Sequence, residues 1–325
     1  MRRDLTIVVQ RMHREIDGTS RDGKTCIAYV FPVEPEPVRL ERGARELIMK
    51  TREGEGVHYG MIDHAGRLAS HGSMLARDKV ETVSIGRHSH ADLRGATDDF
   101  ALRHALLVRR PERADELFWF DLGGDDGTCD LAGRRIGSAT LDLPCALRLG
   151  SHLFVAFSAD QANLGALGIA ELSRASFVRA NAPAKTAAKF VYTLEDVSIR
   201  EPSSAGTQLP RIGEDQTFSS PLRQAVRGVP QIVFRPSADA LARGFMLGRY
   251  ERCGAPGTLE WEQRLSRVHA LLFSIGDASY IADLGSTNGT RHETLGEVRL
   301  KHLCDGDVLW LGDTRLRVGA CSIID

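Results

Sequence analysis

A chain of 325 residues, 42% hydrophobic and 26% charged, is long enough for two or three ordinary domains and apolar enough to bury their cores. Its formal net charge of −1 argues against a nucleic-acid binder resting on phosphate-backbone contacts, so any cationic site must be local. Six cysteines scattered without a C-x-x-C pair point away from a zinc site or disulfide framework and toward a reducing, cytoplasmic setting.

Residues 1–73 contain strand-like runs at Leu5–Gln10, Cys26–Val33 and Glu46–Lys50, with a proline-rich stretch from Pro32 to Pro37, and predict a small β-rich extension. Charge interrupts the N-terminal apolar run after five or six residues, too soon for a secretory segment, and no 18-residue apolar run exists. Gly18-Thr19-Ser20-Arg21-Asp22-Gly23-Lys24-Thr25 formally satisfies the nucleotide-binding pattern G-x-x-x-x-G-K-T. A genuine phosphate loop follows an apolar strand and opens a helix, whereas here RMHREID precedes the motif and a strand-like, proline-containing run follows it. A hairpin fits better, and with no other catalytic or cofactor signature the chain is read as non-enzymatic, without cofactor or metal.

Further on, Glu116–Asp121 and His152–Phe157 have β character. Asp160–Phe177 carries Leu164, Leu167, Leu172 and Phe177 at broadly helical spacing, and Glu201–Pro221 is rich in Pro, Ser, Gly and Thr, as flexible linkers are. Thr193, Thr207 and Thr217, in or near that linker, are candidate phosphate acceptors.

The most informative stretch is Asp283–Thr290, DLGSTNGT. Its crowd of short hydroxyl, amide and glycine residues favours a turn, set between strand-like Tyr280-Ile281-Ala282 and Val308–Leu311. Upstream stand Gly248-Arg249 and Ser266-Arg267-Val268-His269. Cations and neutral donors without a carboxylate at these positions suit a phosphate dianion. Read together over about Val229 to Gly319, the blocks resemble the signature of a forkhead-associated (FHA) domain, a β-sandwich that binds phosphothreonine.

The resemblance implies a role for each position. Arg249 would pair with phosphate oxygens, assisted by Arg267; Ser266 and Thr287 would donate to the phosphate; Asn288 would hold the peptide main chain. Gly248, His269 and Gly289 would shape the loops, while Cys253–Trp261 and Arg291–Glu297 would tune selectivity.

The signature has an echo. Gly86-Arg87, Asp121-Leu122-Gly123 and Gly127-Thr128 precede their counterparts by 162 residues, and His104-Ala105-Leu106-Leu107 precedes His269-Ala270-Leu271-Leu272 by 165. Aligned on these landmarks, Ala101 and Leu102 replace Ser266 and Arg267, and Asp125 and Asp126 replace Thr287 and Asn288. Each carboxylate beside a phosphate dianion costs roughly 2 to 6 kcal/mol, so this copy is read as degenerate.

The expected architecture is all-β: an extension (1–73), a degenerate FHA-like sandwich (74–158), a helix and linker (159–224) and an FHA domain (225–325). The expected function is a phosphothreonine-dependent adaptor in Ser/Thr-kinase signalling, docking a partner's phosphothreonine or that of its own linker, with no nucleic-acid or membrane partner. The alternatives are a phosphate-independent scaffold and a regulatory subunit of a separate enzyme.

Overall fold

The computed structural model describes residues 36–51, 56–75, 78–95, 100–122, 127–162, 178–181, 190–196, 222–226, 229–250, 253–254 and 265–320. The candidate strands Leu5–Gln10 and Cys26–Val33, the sequence 18–25, residues 163–177, the stretch Glu201–Pro221 with Thr207 and Thr217, and Asp125 and Asp126 lie outside the described residues. The fold is all-β, two sandwiches in succession.

The first sandwich is built from β1 (Val57–Ile62), β2 (Leu68–Met74), β3 (Glu81–Gly86), β4 (Leu93–Arg94), β5 (Ala105–Arg110), β6 (Arg113–Asp121), β7 (Thr128–Cys129), β8 (Arg135–Ile136), β9 (Ala139–Asp142), β10 (Cys145–Leu149), β11 (His152–Ser158) and β12 (Val178–Ala180). One of its sheets runs β2-β1-β11-β10-β7-β8 and the other β12-β9-β6-β5-β3-β4. Trp119, Phe154, Leu107 and Leu147 fill the space between them, with the Trp119 and Phe154 rings 5.3 Å apart.

The second sandwich contains β13 (Phe190–Asp196), β14 (Leu222–Val226), β15 (Val229–Phe234), β16 (Phe245–Leu247), β17 (Ala270–Ile275), β18 (Ala278–Asp283), β19 (Thr290–His292), β20 (Gly296–Glu297), β21 (Leu300–His302), β22 (Val308–Leu311) and β23 (Thr314–Ala320). Its sheets run β14-β15-β13-β23-β22-β19-β20 and β16-β17-β18-β21, which repeats the strand order of the first sandwich apart from edge strands. Alternation is clean on β23, where Leu316 and Val318 enter the core while Arg315 and Arg317 turn to the other face and meet Glu195 of β13.

Sequence and structure differ at three places. Glu46–Lys50, expected as a strand, lies inside helix α1 (Glu36–Thr51). Leu40, Ala44 and Leu47 form its buried stripe against Ile62, Leu153, Val155 and Phe157, and Glu41–Arg45 and Glu46–Lys50 pairs at i,i+4 support its outer face. A five-residue window is too short to reveal that period. Secondly, β1 and β2 fall in the interval 1–73 yet belong to the first sandwich, with Val57 to Ile62 paired antiparallel to Ser158 to Leu153. In the same manner β13, inside the interval expected as helix and linker, pairs with β23 from Phe190–Ala320 to Asp196–Thr314. Thirdly, Thr193 sits on β13 with 1% of its surface exposed, which removes it as an acceptor a kinase can reach in the folded chain. Of the stretch Asp160–Phe177, expected as a helix, residues 160–162 are described and lie in helix α2 (Ala159–Ala162).

The two sandwiches are joined by a third apolar cluster. Leu106 and Val108 of β5 and Phe118 and Phe120 of β6 pack against Leu271, Phe273 and Ile275 of β17 and Tyr280 and Ala282 of β18. Phe120 and Phe273 meet at 4.8 Å. Strands β5 and β17 are therefore buried on both faces, which accounts for the apolar runs ALLV and ALLF with which they begin.

Candidate functional site

The motif loops gather at one end of the second sandwich because strand ends carry them there. Helix α3 (Ala238–Arg243) is capped by Ser237, whose Oγ accepts from the Ala240 amide at 3.1 Å, and leads into β16. At the end of β16, Gly248 runs against the 266–268 segment so closely that a Cβ would stand 2.3 Å from the Arg267 carbonyl oxygen. Glycine is required there by close backbone approach. The Arg249 amide donates to the Ser266 carbonyl at 3.3 Å and the Tyr250 amide to the Arg267 carbonyl at 2.9 Å, so the two segments form a short ladder.

Arg249 is exposed, and its Nε donates to the Leu265 carbonyl at 3.0 Å. That bond orients the guanidinium before any ligand arrives. Ser266 is largely buried, and its Oγ accepts from the Thr287 amide at 3.0 Å, leaving the hydroxyl proton for another acceptor. Arg267, Thr287 and Asn288 are exposed. Main-chain and hydroxyl contacts thus tie Arg249, Ser266 and Thr287 together, with Arg267 and Asn288 beside them in sequence.

Residues without an assigned role in the sequence reading build this loop. Asp283 accepts from the Ser286 amide at 2.8 Å, the Ser286 hydroxyl at 2.6 Å and the Thr290 hydroxyl at 2.7 Å. Gly285 and Gly289 take positive φ angles of 71° and 69°, which let the chain turn around this carboxylate. The signal lay in the motif itself, where an aspartate precedes two hydroxyl residues at turn spacing. Arg103, from the first sandwich, was not legible: its Nε donates to the Leu284 carbonyl at 2.6 Å and its Nη2 to the Gly285 carbonyl at 2.7 Å.

His269 is fully buried beneath the loops. Its Nδ1 accepts from the Ser266 amide at 3.3 Å and its Nε2 faces the Gly289 carbonyl at 3.1 Å, an arrangement that assigns the proton to Nε2 and staples both loops through one neutral ring. Burial, opposed by the nearby Asp283 carboxylate, pushes its pKa down from 6.5 to about 4. The unfolded chain binds that proton near pH 6.5 and the folded chain only near 4, so the stability from the neutral ring is whole above 6.5 and is lost as pH falls toward 4. The loss is on the order of 3 kcal/mol. Urea midpoints measured from pH 7.5 to 4.5 are expected to fall less steeply for His269→Gln than for the parent, and equal slopes would refute this assignment.

The first sandwich has the same backbone frame without the same side chains. The amides of Arg87, His88, His104 and Leu122 donate to the carbonyls of Ala101, Leu102, Ile85 and His104 at 2.8 to 3.0 Å, matching those of Arg249, Tyr250, His269 and Leu284 on Ser266, Arg267, Leu247 and His269. A Cβ on Gly86 would stand 2.2 Å from the Leu102 carbonyl oxygen, as on Gly248. His104, however, stacks on Phe100 at 4.6 Å, and alanine and leucine stand where Ser266 and Arg267 do in the second sandwich.

Residues 246–312 match the family model described as the FHA domain. Those residues of the second sandwich are similar to an FHA domain. Among solved structures the chain is similar to the FHA domain of the CT664 protein from Chlamydia trachomatis, at 16% identity over 31% of this chain and 96% of that one, with a TM-score of 0.27. It is similar also to the FhaA FHA domain complexed with the intracellular domain of Rv3910, at 23% identity over 39% and 98% and a TM-score of 0.23. A third similar structure is EmbR of Mycobacterium tuberculosis in complex with a low affinity phosphopeptide, at 19% identity over 35% and 29% and a TM-score of 0.25. No curated protein matches the chain. Among the described residues no cluster of metal-ligating side chains occurs, and no helix is long and apolar enough to cross a membrane.

Proposed function

We propose that this chain is a phosphothreonine-dependent interaction adaptor whose second sandwich binds the phosphorylated segment. The observation that carries the reading is the junction of Arg249, Ser266 and Thr287: an oriented exposed guanidinium, a hydroxyl proton left to donate, and an exposed threonine on the loop bonded to that hydroxyl. Arg249 and Arg267 supply the positive charge, Ser266 and Thr287 the oriented donors, and Asn288 holds the ligand's main chain. The FHA family match over these residues supports the same assignment.

The shared backbone frame supports reading the first sandwich as a second FHA-type copy that has lost phosphate recognition. The implied setting is Ser/Thr-kinase signalling, with a phosphoprotein partner or the chain's own phosphorylated linker as ligand. The apolar contact between the sandwiches favours a scaffolding role for the first copy, alongside phosphate reading by the second. Binding of the full chain to an oriented phosphothreonine peptide library and to its unphosphorylated counterpart tests the proposal. Selective retention of the phosphorylated library is expected; equal retention overturns the proposal in favour of a phosphate-independent role.

A further inference from the structure

A groove of about 390 Å³ opens between the sandwiches directly beside the motif loop. Residues 285–291 and 297–299 form one wall, and Thr82, Ser84, His90 and Asp92 of the first sandwich form the other. The exposed side of the loop that carries Thr287 and Asn288 is therefore also the rim of this groove.

The far wall is held rigidly. One oxygen of Asp92 accepts from the Ser84 amide at 2.9 Å and hydroxyl at 2.6 Å, and the other takes Arg299 Nη1 of the second sandwich at 3.0 Å. His90 lies so close to the motif loop that a Cβ on Gly285 would be 3.2 Å from its own Cβ. Together with Arg103 on the Leu284 and Gly285 carbonyls, these contacts fix the width of the groove at the apolar interface beneath it.

We infer that this groove reads the residues flanking the phosphothreonine, so that the first sandwich, which carries Ala101 and Leu102 in place of Ser266 and Arg267, sets the sequence preference of the second. The inference rests on the reading of the phosphate site given above. A main chain held at Asn288 continues over the rim between the two walls. Hydroxyls, an imidazole and exposed charges line the groove, with Leu106 and Val298 as its apolar residues, so it fits a polar, extended segment. Asp92 and Arg299 neutralise each other, and Asp283 is occupied by amide and hydroxyl donors. Glu297 and Arg291, both exposed and opposite each other in register, line the groove from the second sandwich, and from the first His90 and Asp92 are exposed titratable groups, Asp92 already paired with Arg299.

The experiment is selection from an oriented phosphothreonine library by the full chain and by its His90→Asp and Glu297→Lys variants, with an unphosphorylated library alongside. His90→Asp is expected to enrich lysine or arginine at a flanking position by about fivefold, the upper range for a partly exposed ion pair, with phosphothreonine selection unchanged. Glu297→Lys is expected to shift a neighbouring position toward acidic residues. A flanking profile identical in His90→Asp and parent, with phosphothreonine selection intact, overturns the inference alone, and so does a shift confined to Glu297→Lys. Loss of phosphothreonine selection in the parent overturns the phosphate reading and this inference with it.

Discussion

Arg249→Ala is expected to weaken binding of a phosphothreonine peptide by one to two decades while leaving the melting temperature of the chain unchanged. The magnitude follows from the loss of a charge-assisted contact, about 1.5 to 3 kcal/mol, at tenfold in affinity for each 1.4 kcal/mol. Two features of the structure argue for the upper part of that range. The guanidinium is already oriented by its Nε bond to the Leu265 carbonyl, so little side-chain freedom remains to be lost on binding. The Arg249 main chain is bonded to Ser266, so a phosphate held there would also engage a hydroxyl whose lone pair is occupied by the Thr287 amide. Arg249→Lys is expected to recover only part of the loss, because an ammonium is a point charge and cannot bond the Leu265 carbonyl and two phosphate oxygens in one plane. Isothermal titration with phosphorylated peptide decides the matter, and parent-like affinity in Arg249→Ala would mean that the pocket is misassigned. Residue 249 is exposed, so an unchanged melting curve separates lost recognition from lost folding.

The second large effect is expected at the joint between the sandwiches. Phe273 is 0% exposed and lies 4.8 Å from Phe120 and 5.4 Å from Tyr280. Phe273→Ala removes a buried ring that the surrounding sheets cannot close over, at a cost of about 3 to 5 kcal/mol. Because the ring faces the first sandwich and not the core of the second, the damage should reach both sandwiches. The parent is expected to unfold in one denaturant transition and Phe273→Ala in two, with the first at lower urea. Phosphopeptide affinity should also decline in the variant, since Arg103 grips the Leu284 and Gly285 carbonyls only while the interface holds. Two transitions in the parent, or a single unshifted one in the variant, would show that the joint does not couple the two cores.

The motif loop was legible because its shape is made locally. Ser286 and Thr290 both donate to the Asp283 carboxylate within eight residues, and Gly285 and Gly289 supply the left-handed turns, so short-range chemistry suffices. Gly248 was legible as a motif position, but the close backbone approach that makes it a glycine appears only with the 266–268 segment in place. The echo in spacing is a property of the sequence, and the amides of Arg87, His104 and Leu122 bond as those of Arg249, His269 and Leu284 do.

Strands β1 and β13 were harder, because each is placed in its sheet by a partner roughly a hundred or more residues later. Helix α1 was hidden for a related reason: its apolar stripe has meaning only against the outer face of the sheet it covers. By itself the sequence determined the all-β class, the turn-forming residues of the motif loop and the echo in spacing between two halves, since each is encoded in residue type and short spacing. Only the tertiary structure decided that the apolar runs of β5 and β17 face one another, that Arg103 and His90 reach the loop of the other sandwich, and that a groove lies between. Continuous apolar strands announce burial on both faces but not what buries them, and that choice is made by the fit of two surfaces distant in sequence.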